Sequence, residues 1–143
     1  MIERLVPHDI LDSLDKYDRI VVGGIISVAG HDDRVLFLKR SKHEFMPDAW
    51  EIPSGGIEEG ESMLKALKRE IKEETNLEVF DVGGFVSAVD YLAKDNKCLQ
   101  LNFNVCCRGD VQLSNEHSEF IFSKIDSFVN NLDDFMLRVI KPG

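Results

Sequence analysis

Apolar and polar positions change their period several times along the chain. Arg19 to Ser27 (RIVVGGIIS) is a β-branched run that reads as a buried strand. Arg34 to Lys39 (RVLFLK) alternates as its partner across an AGHDD turn. A short strand over Ala49 to Ile52 is stopped by Pro53, and Ser54-Gly55-Gly56 is expected to open a loop in conformations closed to other residues. From Glu61 to about Asn76 the period lengthens, and Leu64, Leu67 and Ile71 recur at spacings of three and four, which predicts a helix with those residues as its core stripe. Val79 to Leu92 and Lys97 to Arg108 read as a long hairpin turning at Lys94-Asp95-Asn96, with a bulge at Gly83-Gly84. Glu119 to Ser123 is a last strand, followed by helical segments between Asp126 and Ile140. Residues 1–18 form a short amphipathic segment whose Ile10, Leu11 and Leu14 are expected to pack on the domain or on a second subunit. The pattern is mixed α/β, with residues 19–143 as one domain.

Composition narrows the function classes. A chain of 143 residues supports a single core, so any active site must be built within one fold. No apolar run approaches the roughly 20 residues that span a bilayer, and the N-terminus lacks a secretory pattern, so a cytoplasmic protein without membrane partners is expected. Cys98, Cys106 and Cys107 are odd in number and lack CxxC spacing, which supports neither a disulfide framework nor a zinc site. With 26 acids against 17 Lys and Arg, the net charge of -9 disfavours a nucleic-acid partner. A phosphate substrate would then require divalent cations held by some of those carboxylates.

The chemistry concentrates between Gly55 and Leu77, GGIEEGESMLKALKREIKEETNL. Residues four apart share a helix face, so Glu70 and Glu74 project together with Glu73 beside them, while Lys65, Lys68 and Lys72 fall on the other side. Clustered, partly desolvated carboxylates repel one another unless a cation neutralises them, and magnesium or manganese is the natural ion for such oxygen donors. A Lys/Glu-rich helix is often only a solvated face, and Arg69 has an i,i+4 partner in Glu73. The glycine-rich lead-in tilts the reading towards a site, because backbone can approach a phosphate or a metal beside the carboxylates.

Gly55 to Leu77 resembles the Nudix box, which runs Gly, five residues, Glu, seven residues, Arg-Glu, an apolar residue, any residue, Glu-Glu, any residue, Gly and an apolar residue. Gly55, Glu61, Arg69, Glu70, Ile71, Glu73, Glu74 and Leu77 occupy its positions. Asn76 stands where the family usually has Gly, and Asn tolerates the left-handed conformation that a helix C-terminal turn requires there. Ser54 stands where many members have a further Gly. The stretches VVGGIISVAG, RVLFLKRSKHEFMPDAWEIPSGG and EHSEFIFSKIDSF extend the likeness over most of the chain after Arg19.

The resemblance implies an α/β/α sandwich around a central mixed β-sheet and a metal-dependent hydrolase. Its substrate would be a nucleoside diphosphate linked to another group: a nucleoside triphosphate, an oxidised nucleotide, a nucleotide sugar or ADP-ribose. It implies Mg²⁺, or Mn²⁺ in its place, on Glu70, Glu73 and Glu74, with Arg69 orienting carboxylates, Glu61 fixing the loop and a carbonyl near Ser54 or Gly55 as a further ligand. Glu70 and Glu116 are the candidate general bases, with Glu119 third. Lys39 and Arg40, at a strand end facing the box in family members, are candidates for holding a phosphate. Phe45 is a candidate for stacking on a base, whereas Trp50 reads better as core. His8, His31, His43 and His117 show no metal-ligand spacing and are assigned no metal; His117 adjoins Glu116, which offers a place near substrate, but a cap or surface position is expected for it. A homodimer is left open, and the alternative function is a Nudix-like module that binds a nucleotide without cutting it.

Overall fold

The computed structural model describes residues 2–142, so the outer limits of the expected 1–18 segment and 19–143 domain, Met1 and Gly143, lie outside the described residues. Seven strands form two sheets. The larger has the order β4-β1-β6-β5, built from β1 (Arg19–Val28), β4 (Ser54–Gly56), β5 (Glu78–Ala93) and β6 (Asn96–Arg108). In it β1 runs parallel to β6, while β4 and β5 are antiparallel to their neighbours, so the sheet is mixed as expected. The smaller has the order β3-β2-β7, from β2 (Val35–Arg40), β3 (Trp50–Glu51) and β7 (His117–Ser123).

Among the described residues four α-helices, α1 (His8–Leu11), α2 (Met63–Thr75), α3 (Ile125–Phe128) and α4 (Asp134–Ile140), and three short 3₁₀ helices complete the fold. One core gathers Val22, Ile26, Leu101, Phe103 and Val105 of the large sheet against Ala66, Leu67 and Ile71 of α2. Ile10, Leu11 and Leu14 lean on this core from the N-terminal segment. A second core joins Ile25, Phe37, Ile52 and Val89 to Phe128, Met136 and Val139. Each buried aliphatic side chain contributes about 1.5–3 kcal/mol against its exposed state, so these two apolar layers fix the sheets and with them the site.

Helix α2 begins where Ser62 accepts a hydrogen bond from the Lys65 N–H at 3.2 Å. It ends at Asn76, whose φ of 66° is the left-handed turn expected from the sequence. Its buried stripe is Met63, Ala66, Leu67 and Ile71, and Leu64 lies only at the margin. Against the expected Leu64-Leu67-Ile71 line, the stripe is rotated towards Met63 and Ala66, which brings Glu74 into register with the core. The expected loop at Ser54-Gly55-Gly56 is also corrected, since these residues are strand β4, paired with Gly23, Val22 and Val21. Neither Gly55 nor Gly56 has a positive φ. Gly55 instead permits close approach, because a Cβ there would collide with the Glu70 carboxylate. The hairpin turns at Lys94, φ 57°, and β5 carries register shifts on both sides of Gly83-Gly84.

Candidate active site

Helix α2 presents two electrostatic environments at neighbouring turns. In the first, the Arg69 guanidinium is saturated. Its Nε and Nη2 donate to the two Glu61 oxygens at 2.7 and 2.9 Å, Nη2 also donates to the Gly56 carbonyl at 3.0 Å, and Nη1 donates to Glu70 at 2.7 Å. Glu61 accepts in addition from the Glu58 N–H at 3.0 Å. The Arg69 hydrogen bond, with that backbone bond behind it, holds the Glu61 carboxyl down at about 2. Arg69 in turn is held protonated, chiefly by Glu61. This pair ties helix α2 to strand β4 and the turn after it.

One turn along, Glu74 has no such partner. It is 4% exposed, and burial pushes its carboxyl well above the ordinary range, reinforced by a hydrogen bond to Glu70 and by the charges of Glu70, Glu51 and Glu116. Among the described residues the nearest basic group is His117, whose Nδ1 stands 4.0 Å from Glu74 Oε1. His117 is itself buried, so the expectation of a cap or surface position is corrected. Its Nε2 lies 2.8 Å from Glu51 Oε2, and Arg40 Nη1 donates to the same oxygen at 3.0 Å.

Strand register explains the convergence. Leu38 pairs with Glu51 on one side of β2 and Arg40 pairs with His117 on the other. A register shift between Lys39 and Arg40 re-aims the start of β7 inwards. Glu116 is held beside it, because the Ser41 N–H donates to the Glu116 carbonyl at 2.9 Å and the Ser41 hydroxyl donates to the Asn115 carbonyl at 2.7 Å. Glu74, Glu116 and His117 thereby offer ligand atoms that all lie within 4.8 Å of one another.

The other expected residues are placed around this centre. Glu73 stands at the rim, its side chain 59% exposed and 3.5 Å from Arg69. Arg40 is committed to Glu51, Glu44 and the Phe45 carbonyl. Lys39 pairs with Glu119 at 3.2 Å and lies over the Trp50 ring, and Phe45 is exposed. Trp50 packs edge-on against Phe128, in agreement with a core role. Glu51 has no signal in the sequence that marks it as a member of the site, and for His117 the adjacency to Glu116 is the usable signal, outweighed by the preference for a cap or surface position. Concavity is no guide, since the groove of about 450 Å³ lined by Leu5, Leu64, Lys68 and Phe80 shares no residue with the cluster.

The donor set fits a divalent cation on two structural counts. The desolvated Glu74 carboxyl faces the acids Glu70, Glu51 and Glu116 with no Lys or Arg against it among the described residues, and the buried His117 Nδ1 has no hydrogen-bond partner among them.

Known proteins agree with this architecture. Over 64 residues, 45% of the chain, it is 36% identical to an 8-oxo-dGTP diphosphatase of Buchnera aphidicola, covering 46% of that protein. Over 59 residues, 41% of the chain, it is 48% identical to an RNA pyrophosphohydrolase of Halorhodospira halophila, covering 30% of it. The match thus spans less than half the length of either relative. A MutT protein structure from Methanosarcina mazei superposes with a TM-score of 0.72 at 24% identity, over 82% of this chain and 86% of that one, which shows a shared fold. The NUDIX domain model matches residues 18–128, most of the chain, and the protein therefore belongs to the NUDIX family.

Proposed function

We propose that the protein is a metal-dependent hydrolase of a pyrophosphate bond in a nucleoside diphosphate linked to another group. The observation that carries this reading is the buried Glu74 carboxyl, surrounded by Glu70, Glu51 and Glu116, with no Lys or Arg against it among the described residues and His117 as its one basic neighbour. A pure binding module has no physical reason to gather repelling carboxylates around a buried one, which favours catalysis over nucleotide recognition alone.

Glu70 and Glu74 hold Mg²⁺ or Mn²⁺, with Glu73 as the solvent-side ligand. The bound ion supplies charge stabilisation at the pyrophosphate oxygens and a more acidic attacking water. Arg69 fixes the Glu70 carboxylate, and Glu61 fixes Arg69. Glu70 or Glu116 accepts the proton of the water that adds to phosphorus, Glu119 being the weaker third choice. The bridging P–O bond then breaks, giving a nucleoside monophosphate and a second phosphate product. Arg40 and Lys39 flank the site for a substrate phosphate, although each already has acidic partners, and exposed Phe45 is free to stack on a base.

The free cysteines are compatible with a reducing cytoplasmic setting, and no helix among the described residues is long and apolar enough to cross a membrane. Small nucleotides fit a net charge of -9 better than a long polyanion does. The relative named an RNA pyrophosphohydrolase nevertheless makes a 5′-triphosphorylated oligoribonucleotide a necessary control.

The test is product analysis over a panel of nucleoside triphosphates, oxidised nucleotides, nucleotide sugars, ADP-ribose, dinucleoside polyphosphates and that RNA, with Mg²⁺, Mn²⁺ or chelator. Metal-dependent release of a nucleoside monophosphate from one small-molecule class is the expected result. Tight nucleotide binding without turnover on any of them would establish the binding module instead.

A further inference from the structure

We propose that His117 is a nitrogen donor, through Nδ1, to the divalent cation that Glu70 and Glu74 hold, which makes the ligand set a mixed oxygen–nitrogen one. The inference rests on the metal-binding part of the proposed function and adds to it an imidazole that lies outside the glutamate-rich helix.

Three independent features converge on it. The first is tautomer. Glu51 as a carboxylate only accepts hydrogen bonds, so at 2.8 Å the His117 Nε2 carries a hydrogen, which leaves Nδ1 as the ring nitrogen on the side of Glu74. Arg40, donating to the same Glu51 oxygen at 3.0 Å, holds that carboxylate in place. A carboxylate behind one ring nitrogen is the arrangement that orients metal-ligating histidines and raises their basicity.

The second is burial. His117 is 4% exposed and Nδ1 is fully enclosed, yet it has no hydrogen-bond partner among the described residues. A buried polar atom left without a partner is destabilising, so such an atom calls for a ligand. The third is aim. Nδ1 lies 4.0 Å from the Glu74 Oε1, and Glu116 brings an oxygen into the same 4.8 Å cluster. Donors at about 2.0–2.2 Å from a common ion stand roughly 3–4 Å apart, so the cluster needs only a small contraction to share one.

A nitrogen donor changes ion preference. Carboxylates and water suit magnesium, whereas imidazole shifts a site towards cobalt, nickel and zinc. Cobalt affinity should therefore depend on His117 more strongly than magnesium affinity does.

The experiment uses the full chain loaded with Mn²⁺ and electron spin-echo modulation spectroscopy, which detects a directly coordinated imidazole nitrogen. A variant with His8, His31 and His43 all replaced by Gln leaves His117 as the only histidine, and the nitrogen signal should persist in it. His117→Gln keeps an amide N–H where Nε2 donates to Glu51 and deletes the Nδ1 donor. It should abolish the signal and weaken calorimetrically measured Co²⁺ binding by about 10-fold or more, with a smaller loss for Mg²⁺. If His117→Gln fails to fold, the three-histidine variant decides alone. Stoichiometric Mn²⁺ binding without an imidazole signal in that variant overturns the inference and leaves the proposed hydrolase standing. Failure to bind Mn²⁺ at all overturns both.

Discussion

The Arg69–Glu61 cradle and the Glu74–His117 cluster sit one helical turn apart and are opposites. In the cradle a charged group meets its complement, with hydrogen bonds of 2.7 and 2.9 Å to one carboxylate and further acceptors at Glu70 and the Gly56 carbonyl. In the cluster like charges crowd a buried carboxyl and a ring nitrogen has no partner. The difference separates scaffold from chemistry: the first region lowers the folding free energy of the isolated chain, and the second raises it until something positive arrives.

The largest effect that sharpens this contrast is expected from Glu74→Gln. Turnover on the substrate found in the panel should fall by about 10²-fold or more, because a residue that holds the ion is lost. Stability should move the other way. In the metal-free protein, at pH above the ordinary carboxylate value and below the raised one, the folded state keeps a proton that the unfolded chain has released. Stability therefore falls as pH rises through that window. The Gln variant lacks this slope, and its metal-free melting temperature at pH 7 should exceed that of the native chain by at least about 3 °C.

Arg69→Lys attacks the scaffold side. A single ammonium cannot reproduce the two-pronged bond to Glu61 together with the contacts to Glu70 and Gly56, so the variant should lose about 2 kcal/mol in denaturant unfolding. Its turnover should drop by about 10-fold or more through the misplaced Glu70. A variant that loses activity without losing stability would break the division of labour.

A smaller effect is expected in acid. Glu61 is held at about 2 by Arg69, below its ordinary 4.5, so its stabilisation is present above 4.5 and is lost as pH falls through 2. Glu61→Gln should flatten that limb of a stability-versus-pH curve. The smallest is expected from Asn76→Gly at the left-handed end of α2, a gain of about 0.5 kcal/mol with unchanged turnover.

The helix face of Arg69, Glu70, Glu73 and Glu74 was legible in the sequence, whereas a role for Glu61 was implied only by the family resemblance and the cluster was legible only in part. Arg69, Glu70, Glu73, Glu74 and the left-handed Asn76 belong to one helix, where spacing alone fixes relative direction. Glu51 and His117 are 66 positions apart and meet only because β3 and β7 flank β2 in a particular register. A single sequence does not specify which strands pair, and the shift at Lys39–Arg40 that turns His117 inwards has no local signature. Ser54-Gly55-Gly56 differs for another reason: the glycines suggest a loop, whereas Gly55 serves close approach of Glu70 within a paired strand.

Thermal unfolding at neutral pH, with Mg²⁺ or Mn²⁺ titrated into the native chain and into Glu74→Gln, tests the central claim most directly. The native melting temperature should rise with metal and close the gap to the variant, while the variant stays nearly unresponsive. A native protein indifferent to both ions, or a variant that responds equally, would contradict the assignment of the cluster as a cation site.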